Sequence, residues 1–197
     1  GRAIGEDYTL ALATRLVLRH RSGPVVTNLS TSRVVEDAAS EAGAPFFRAP
    51  VGEINVARRM EAEGAVIGGE GNGGVILPEI HLTRDAHVAA ALVLQLLLET
   101  RSTVSELVAS APSYAIVKDS VPRPDGDLAP AYDRLARRLD AAVTDRQDGL
   151  WLGWPDGGRW LHFRPSGTEP IVRMIAEAPD EAGARELVEA ARSAMNA

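Results

Sequence analysis

Between residues 6 and 77 the sequence alternates amphipathic helical stripes with short apolar runs of β character, and that alternation admits few folds. Residues 6–20 carry Leu10, Leu12, Ala13, Leu16 and Val17 at helical spacing, with acidic residues in the first turn where the helix dipole favours them. Residues 24–29 then read as a strand. Residues 32–43 read as a helix with Val34, Val35 and Ala38 facing inward and Gly43 placed to end it. Residues 44–48 are a second strand, 51–63 a third helix and 65–68 a third strand closing on glycine. Strand, helix, strand, helix, strand predicts an α/β unit with a parallel-type sheet and flanking helices. A fourth β-run ends at Leu77 and Pro78. Residues 85–101, apolar almost all round, are expected to form a helix buried against the sheet, and residues 103–110 a short helix.

The character of the chain changes near residues 110–113. Residues 113–121 alternate as a strand, 122–130 form a Pro/Asp/Gly linker and 132–142 an amphipathic helix. Strands at 149–154, 159–163 and 171–177 and a helix from about 180 to 195 follow. The pattern β-α-β-β-β-α predicts a smaller α+β domain with an antiparallel sheet. The expected division is therefore 1–111 and 112–197.

Residues 164–170, reading RPSGTEP, join the last two strands. Arg164 offers a planar five-donor fork suited to a phosphate dianion, and Ser166 and Thr168 add hydroxyl donors. Gly167 between them lets the backbone turn with positive φ and point successive N–H groups at an anion, while Pro165 and Pro170 stiffen the turn. The same residue types also make an ordinary hairpin turn. Arg173, in the following strand, either reaches this loop or pairs with an acid on the sheet.

Residues 68–74, reading GGEGNGG, place five glycines, Glu70 and Asn72 at the carboxyl end of a strand expected to be parallel, where open α/β sheets put ligands. Glu70 can accept and Asn72 can donate hydrogen bonds to sugar hydroxyls, and absent side chains would let a sugar approach the backbone. A flexible glycine loop with one solvated acid has the same composition. The spacing is not that of a dinucleotide-binding turn. Residues 28–32, NLSTS, either offer hydroxyls and helix N-terminal N–H groups to a ligand or simply cap the helix. His81, Asp85 and His87 have poor spacing for a metal and read as surface or capping residues. Trp151, Trp154 and Trp160 read as packing residues of the second domain.

RPSGTEP resembles the phosphate-binding loop in the last domain of the α-D-phosphohexomutases, the family of the phosphoglucomutases, phosphomannomutases and phosphoglucosamine mutases. GGEGNGG resembles that family's sugar-binding loop, usually GExSGH, with Asn72 at the serine and Gly74 at the histidine. Residues 48–53, RAPVGE, resemble the loop leading to its next helix, with Glu53 where a polar side chain faces substrate. The resemblance runs over nearly the whole chain: residues 1 to about 111 look like the family's third domain and the remainder like its fourth. It implies substrate-binding roles for Glu53, Glu70, Asn72, Arg164, Ser166, Gly167, Thr168 and Arg173, with no catalytic or metal-binding residue in this chain.

The family isomerises hexose 1- and 6-phosphates through a phosphoserine in its first domain, a Mg-binding DGDxDR-type loop in its second and a hexose 1,6-bisphosphate intermediate. Neither motif occurs here. The chain is therefore expected to be the substrate-binding half, with nucleophile and Mg supplied by the missing N-terminal domains. A stand-alone non-catalytic phosphosugar-binding module and a fragment without affinity are the alternatives. The sequence opens on Gly1 rather than Met, which suits a piece of a longer chain.

Composition narrows the partners. The net charge of -6 is shared evenly, with 10 basic and 13 acidic groups in residues 1–113 and 11 and 14 in residues 114–197, so neither half has the basic balance of a nucleic-acid binder. There is no cysteine, which excludes disulfides and thiolate metal sites, and no 18-residue apolar run of the kind that spans a membrane. Cytoplasm is the expected compartment. Twenty of the 21 basic residues are arginine, with Lys118 the exception, a bias that carries no mechanism.

Overall fold

A computed structural model of the chain describes residue 1 and residues 3–195 and divides into two compact units, Gly1–Ser113 and Tyr114–Ala197. The first contains helix α1 (Asp7–His20), strand β1 (Val25–Asn28), α2 (Arg33–Glu41), β2 (Phe46–Ala49), α3 (Glu53–Glu63), β3 (Ile67–Glu70), β4 (Gly74–Ile76), α4 (Ala86–Thr100) and α5 (Val104–Ala109). Its sheet runs in the order β2-β1-β3-β4, with β1 parallel to both β2 and β3. The first three strands are parallel as expected, and the fourth, whose direction the sequence left open, is antiparallel to β3 with Glu70 opposite Gly74. Only residues 71–73 separate the two strands, and a parallel return needs a crossover of a dozen or more. The sheet is therefore mixed.

Local chemistry sets the helix ends. The Ser32 hydroxyl accepts from Val34 N at 3.2 Å, so the NLSTS segment does cap α2. Asp85 caps α4 by accepting from His87 N at 2.7 Å and Val88 N at 3.0 Å, and Thr103 and Glu106 form a reciprocal capping box on α5. Gly64, at φ 62°, ends α3 in the left-handed conformation.

Helix α4 departs from expectation. It packs on α1, where Leu96 meets Leu12 and Leu16, and among sheet strands mainly on β4. Only Ala89 and Leu96 are fully buried, while Leu94 is 61% and Leu98 79% exposed. A cylinder leaning on one neighbouring helix hides one stripe, and an apolar sequence cannot say which.

The second unit contains β5 (Ala115–Pro122), α6 (Ala129–Leu139), β6 (Val143–Asp145), β7 (Leu150–Trp154), a 3-10 turn (Pro155–Gly157), β8 (Arg159–Pro165), β9 (Ile171–Ala178) and α7 (Glu181–Met195). Its sheet is antiparallel throughout, in the order β5-β9-β8-β7-β6. Alternate residues Leu150, Leu152, Leu161, Phe163, Val172, Met174 and Ala176 make a core with Leu135 of α6 and Leu187, Val188 and Ala191 of α7. Edge strand β6 was not anticipated: it is three residues long with Val143 exposed, too short to carry an alternating pattern. Trp160 is buried and donates from Nε1 to Glu177 Oε1 at 2.8 Å, whereas Trp151 and Trp154 are half-buried.

The placement of α4 is tested by substitution. Leu96→Ala should lower the stability of the first unit by about 2–5 kcal/mol, the usual cost of a large-to-small change in a core. Leu98→Ala should change it by less than about 0.5 kcal/mol, as for an exposed position. Urea unfolding of both variants reads the difference, and equal losses would mean that the exposed stripe has been assigned wrongly.

Candidate functional site

The carboxyl ends of β1 and β3 carry Asn28 and Glu70, and Gly52 follows β2 at the start of α3. Glu70 is 5% exposed, a position an ionised carboxylate occupies only with donors in place. Its Oε1 accepts from Asn28 Nδ2 at 2.8 Å and from Gly52 N at 3.1 Å, and Arg84 Nη1 lies 3.2 Å from Oε2. Asn28 Oδ1 in turn accepts from Ser30 N and Thr31 Oγ1, both at 2.9 Å, and the Thr31 hydroxyl accepts from Gly71 N at 3.0 Å. Arg48 donates to the Thr31 carbonyl at 2.8 Å and to Glu36 at 3.1 Å. One buried acid thus ties together the segments following β1 and β2 and the residues leading into α4.

The glycine run is not the open loop its composition suggested. Gly68 and Gly69 lie inside β3, and residues 71–73 form a tight turn into β4. A Cβ on Gly68 would sit 2.6 Å from Met60 Sδ, on Gly69 2.0 Å from the Gly74 carbonyl oxygen, and on Gly71 2.3 Å from Asp7 Oδ1. At these three positions the space a side chain would take is filled by the protein itself. These glycines exist for close packing of backbone and side chains. Asn72, at the exposed tip, accepts from Gly74 N at 3.3 Å through Oδ1.

Gly74 makes room for a residue the sequence reading missed. A Cβ there would lie 2.2 Å from Arg84 Cδ, so only glycine lets the Arg84 side chain pass. Arg84 Nε donates to Glu53 Oε2 and its backbone N to Glu53 Oε1, each at 2.9 Å, and the Thr83 hydroxyl also donates to Glu53. Arg84 therefore bridges two of the predicted site acids, Glu53 and Glu70. The Thr83 hydroxyl first, then the Arg84 backbone and guanidinium, hold the Glu53 carboxyl far below its usual value, at about 2. The available signal was a side-chain-free Gly74 paired with an arginine directly before a helix cap.

In the second unit RPSGTEP is the turn of the β8–β9 hairpin. Arg164 and Arg173 are register partners on adjacent strands, so two guanidinium groups leave the same face of the sheet near the turn. Arg164 pairs with Asp148 at 2.9 Å, both side chains being 15% exposed, and Arg173 pairs with Glu169 within the turn. The turn closes with Ser166 N donating to the Ile171 carbonyl at 2.9 Å, and Arg123 N donating to the Pro170 carbonyl at 2.9 Å ties it to the end of β5. Ser166 Oγ accepts from Thr168 N at 3.4 Å, which leaves the hydroxyl proton to donate elsewhere. Gly167 departs from expectation: it is not among the glycines with positive φ, and a Cβ there would meet open space. What the position supplies is exposed backbone rather than a left-handed turn. Tyr132 of α6 stands edge-on to Phe163 at 5.3 Å, and burial pushes its hydroxyl pKa up, while Arg123 and Arg164 oppose that shift.

Among the described residues no group of three or more His, Asp or Glu side chains comes together in a way that could hold a metal ion. His81 instead lies 3.0 Å from the Asp85 carboxylate, beside the α4 cap.

Both units match known domains. Residues 5–114 match the family description "Phosphoglucomutase/phosphomannomutase, alpha/beta/alpha domain III", and residues 99–194 match "Phosphoglucomutase/phosphomannomutase, C-terminal domain". The chain belongs to the phosphoglucomutase/phosphomannomutase family. A probable phosphoglucosamine mutase of Methanopyrus kandleri is 40% identical over 191 residues, covering 95% of this chain and 42% of the relative. A phosphoglucomutase/phosphomannomutase of Thermococcus kodakarensis is 36% identical over 192 residues, covering 96% and 41%. The crystal structure of a family protein from Burkholderia thailandensis superposes with a TM-score of 0.78 at 21% identity, covering all of this chain and 42% of that one. The chain thus spans less than half the length of the relatives it matches.

Within this family domain the Glu53 cluster makes a pH-dependent contribution to stability. A carboxyl whose pKa falls from 4.5 unfolded to about 2 folded stabilises the fold fully above 4.5, and loses that contribution as pH falls toward 2. Urea midpoints measured between pH 6 and about 2 should therefore fall less steeply for Glu53→Gln than for the wild type. Parallel curves would mean that Glu53 is not held as described.

Proposed function

We propose that this chain is the substrate-recognising half of a phosphohexomutase that interconverts hexose 1-phosphates and hexose 6-phosphates of glucose, mannose or glucosamine type. The observation that carries the reading is the β8–β9 turn, where two register-paired arginines stand beside a short segment with two hydroxyls and exposed backbone. That donor set suits a phosphate dianion. Family membership supports the same reading.

On this reading Arg164, Arg173, Ser166, Thr168 and the Gly167 backbone hold the phosphate that is not reacting. Asn72, at the tip of the β3–β4 turn, and the linked carboxylates of Glu70 and Glu53 orient sugar hydroxyls. Carboxylates suit hydroxyls because they would repel a dianion placed beside them. Arg84, held between the two acids, sets where they point. The phosphoserine nucleophile, the magnesium that neutralises charge during transfer and the bisphosphorylated sugar intermediate belong to the remaining length of the full protein. This chain's own contribution is positioning, which in phosphoryl transfer supplies a large share of the rate.

Arg164→Ala should weaken binding of glucose 6-phosphate to this chain by about 2–3 kcal/mol, the scale of a hydrogen bond to a charged group. Calorimetric titration reads it, and unchanged affinity would remove the phosphate assignment. The chain alone should not turn over hexose phosphates with magnesium and glucose 1,6-bisphosphate supplied, and should do so once joined by an N-terminal segment bearing the serine and metal motifs. Turnover by the purified chain, free of host enzyme, would contradict this division of labour.

A further inference from the structure

An arginine recognises phosphate well only if its guanidinium is already aimed, because a free side chain gives up about 2 kcal/mol of rotamer entropy on binding. Arg164 has a device that aims it. Gly149, at φ 77°, lies directly before β7, and a Cβ there would lie 2.5 Å from the Phe163 carbonyl oxygen and 2.8 Å from Arg164 Cα. The chain can pass this close to β8 only through glycine, and the passage sets Asp148 alongside the Arg164 side chain. Arg164 Nε lies 2.9 Å from both carboxylate oxygens of Asp148.

Asp148 is itself anchored. His162, two residues before Arg164 on the same face of β8, is fully buried, and its Nε2 lies 2.7 Å from the Asp148 carbonyl oxygen. The carbonyl can only accept, so Nε2 carries the proton. The pairing also answers a local repulsion. Arg164 and Arg173 stand opposite one another, and like charges in that position push apart unless each has a counter-ion. Glu169 serves Arg173 from the exposed turn, while Asp148 serves Arg164 from a site only 15% exposed.

We propose that Asp148 is a positioning residue for phosphate recognition: it grips Arg164 by Nε and leaves the two Nη groups presented to the anion, with His162 fixing Asp148 in turn. The inference rests on the reading of the β8–β9 turn as the phosphate site. Its test is a double-mutant cycle by calorimetry on this chain, using inorganic phosphate and glucose 6-phosphate as probes, with Asp148→Asn, Asp148→Ala and Arg164→Ala singly and combined.

Both Asp148 substitutions should weaken glucose 6-phosphate binding about tenfold, the lower end of what outer-shell partners contribute at metal sites. In the Arg164→Ala background they should change it by less than twofold. Affinity unchanged or raised in Asp148→Asn, with Arg164→Ala still weakened, overturns the positioning role and leaves the phosphate reading intact. A full loss persisting in the Arg164→Ala background overturns it as well, since Asp148 would then act without Arg164. If Arg164→Ala itself binds normally, the phosphate reading falls first. Should an Asp148 variant fail to fold, the wild-type chain still decides. The Arg164 Nε–H proton, assigned by its loss in Arg164→Ala, should exchange slowly with water before and after phosphate is added, and fast exchange in the free protein overturns the proposal.

Discussion

A carboxylate buried at the end of a β-strand is the constraint on which the candidate site of the first unit depends. Glu70 has almost no contact with water, so its charge must be met by protein donors, and they come from three separate segments: Asn28 at the end of β1, Gly52 after β2 and Arg84 before α4. Loops otherwise free to vary are thereby drawn to one point. The penalty for removing such a group is larger than the net worth of any single bond, because each partner left behind would be a buried polar group without a mate. Polar pairing rather than apolar packing gives this edge its shape.

The second unit reaches the same end from the opposite sign. An antiparallel register places Arg164 and Arg173 side by side, an arrangement that is unfavourable in an empty protein and favourable beside an anion. Separate carboxylates relieve it: Asp148 in a mostly buried pair, Glu169 in an exposed one. The fold holds the two cations together without any ligand, which is the pre-organisation the proposed anion site would need.

The departures from the usual family loops follow from packing. A glycine at position 74, where a histidine is customary, is the opening through which Arg84 reaches both Glu53 and Glu70. The glycines at 68, 69 and 71 are spaces already occupied by Met60, by the backbone of β4 and by Asp7. A glycine-rich string can mean flexibility, access or tight packing, and here it means packing.

Local physics made much of this protein legible from its residues alone. Helical stripes, glycine and serine caps, the alternating core strands of the second unit and the string RPSGTEP all depend on neighbours within a few positions, and the sequence by itself determined them. It also determined the family, through motifs whose order is specific. Tertiary structure decided what depends on partners distant in the chain: that β4 turns back antiparallel, that α4 leans on α1 and leaves Leu94 and Leu98 in solvent, and that Arg84 joins acids 14 and 31 residues away. Asp148 is 16 residues from Arg164, and nothing in either residue's immediate context announces the pair. Charge partnership and burial belong to the folded surroundings, and only the fold brings those surroundings together.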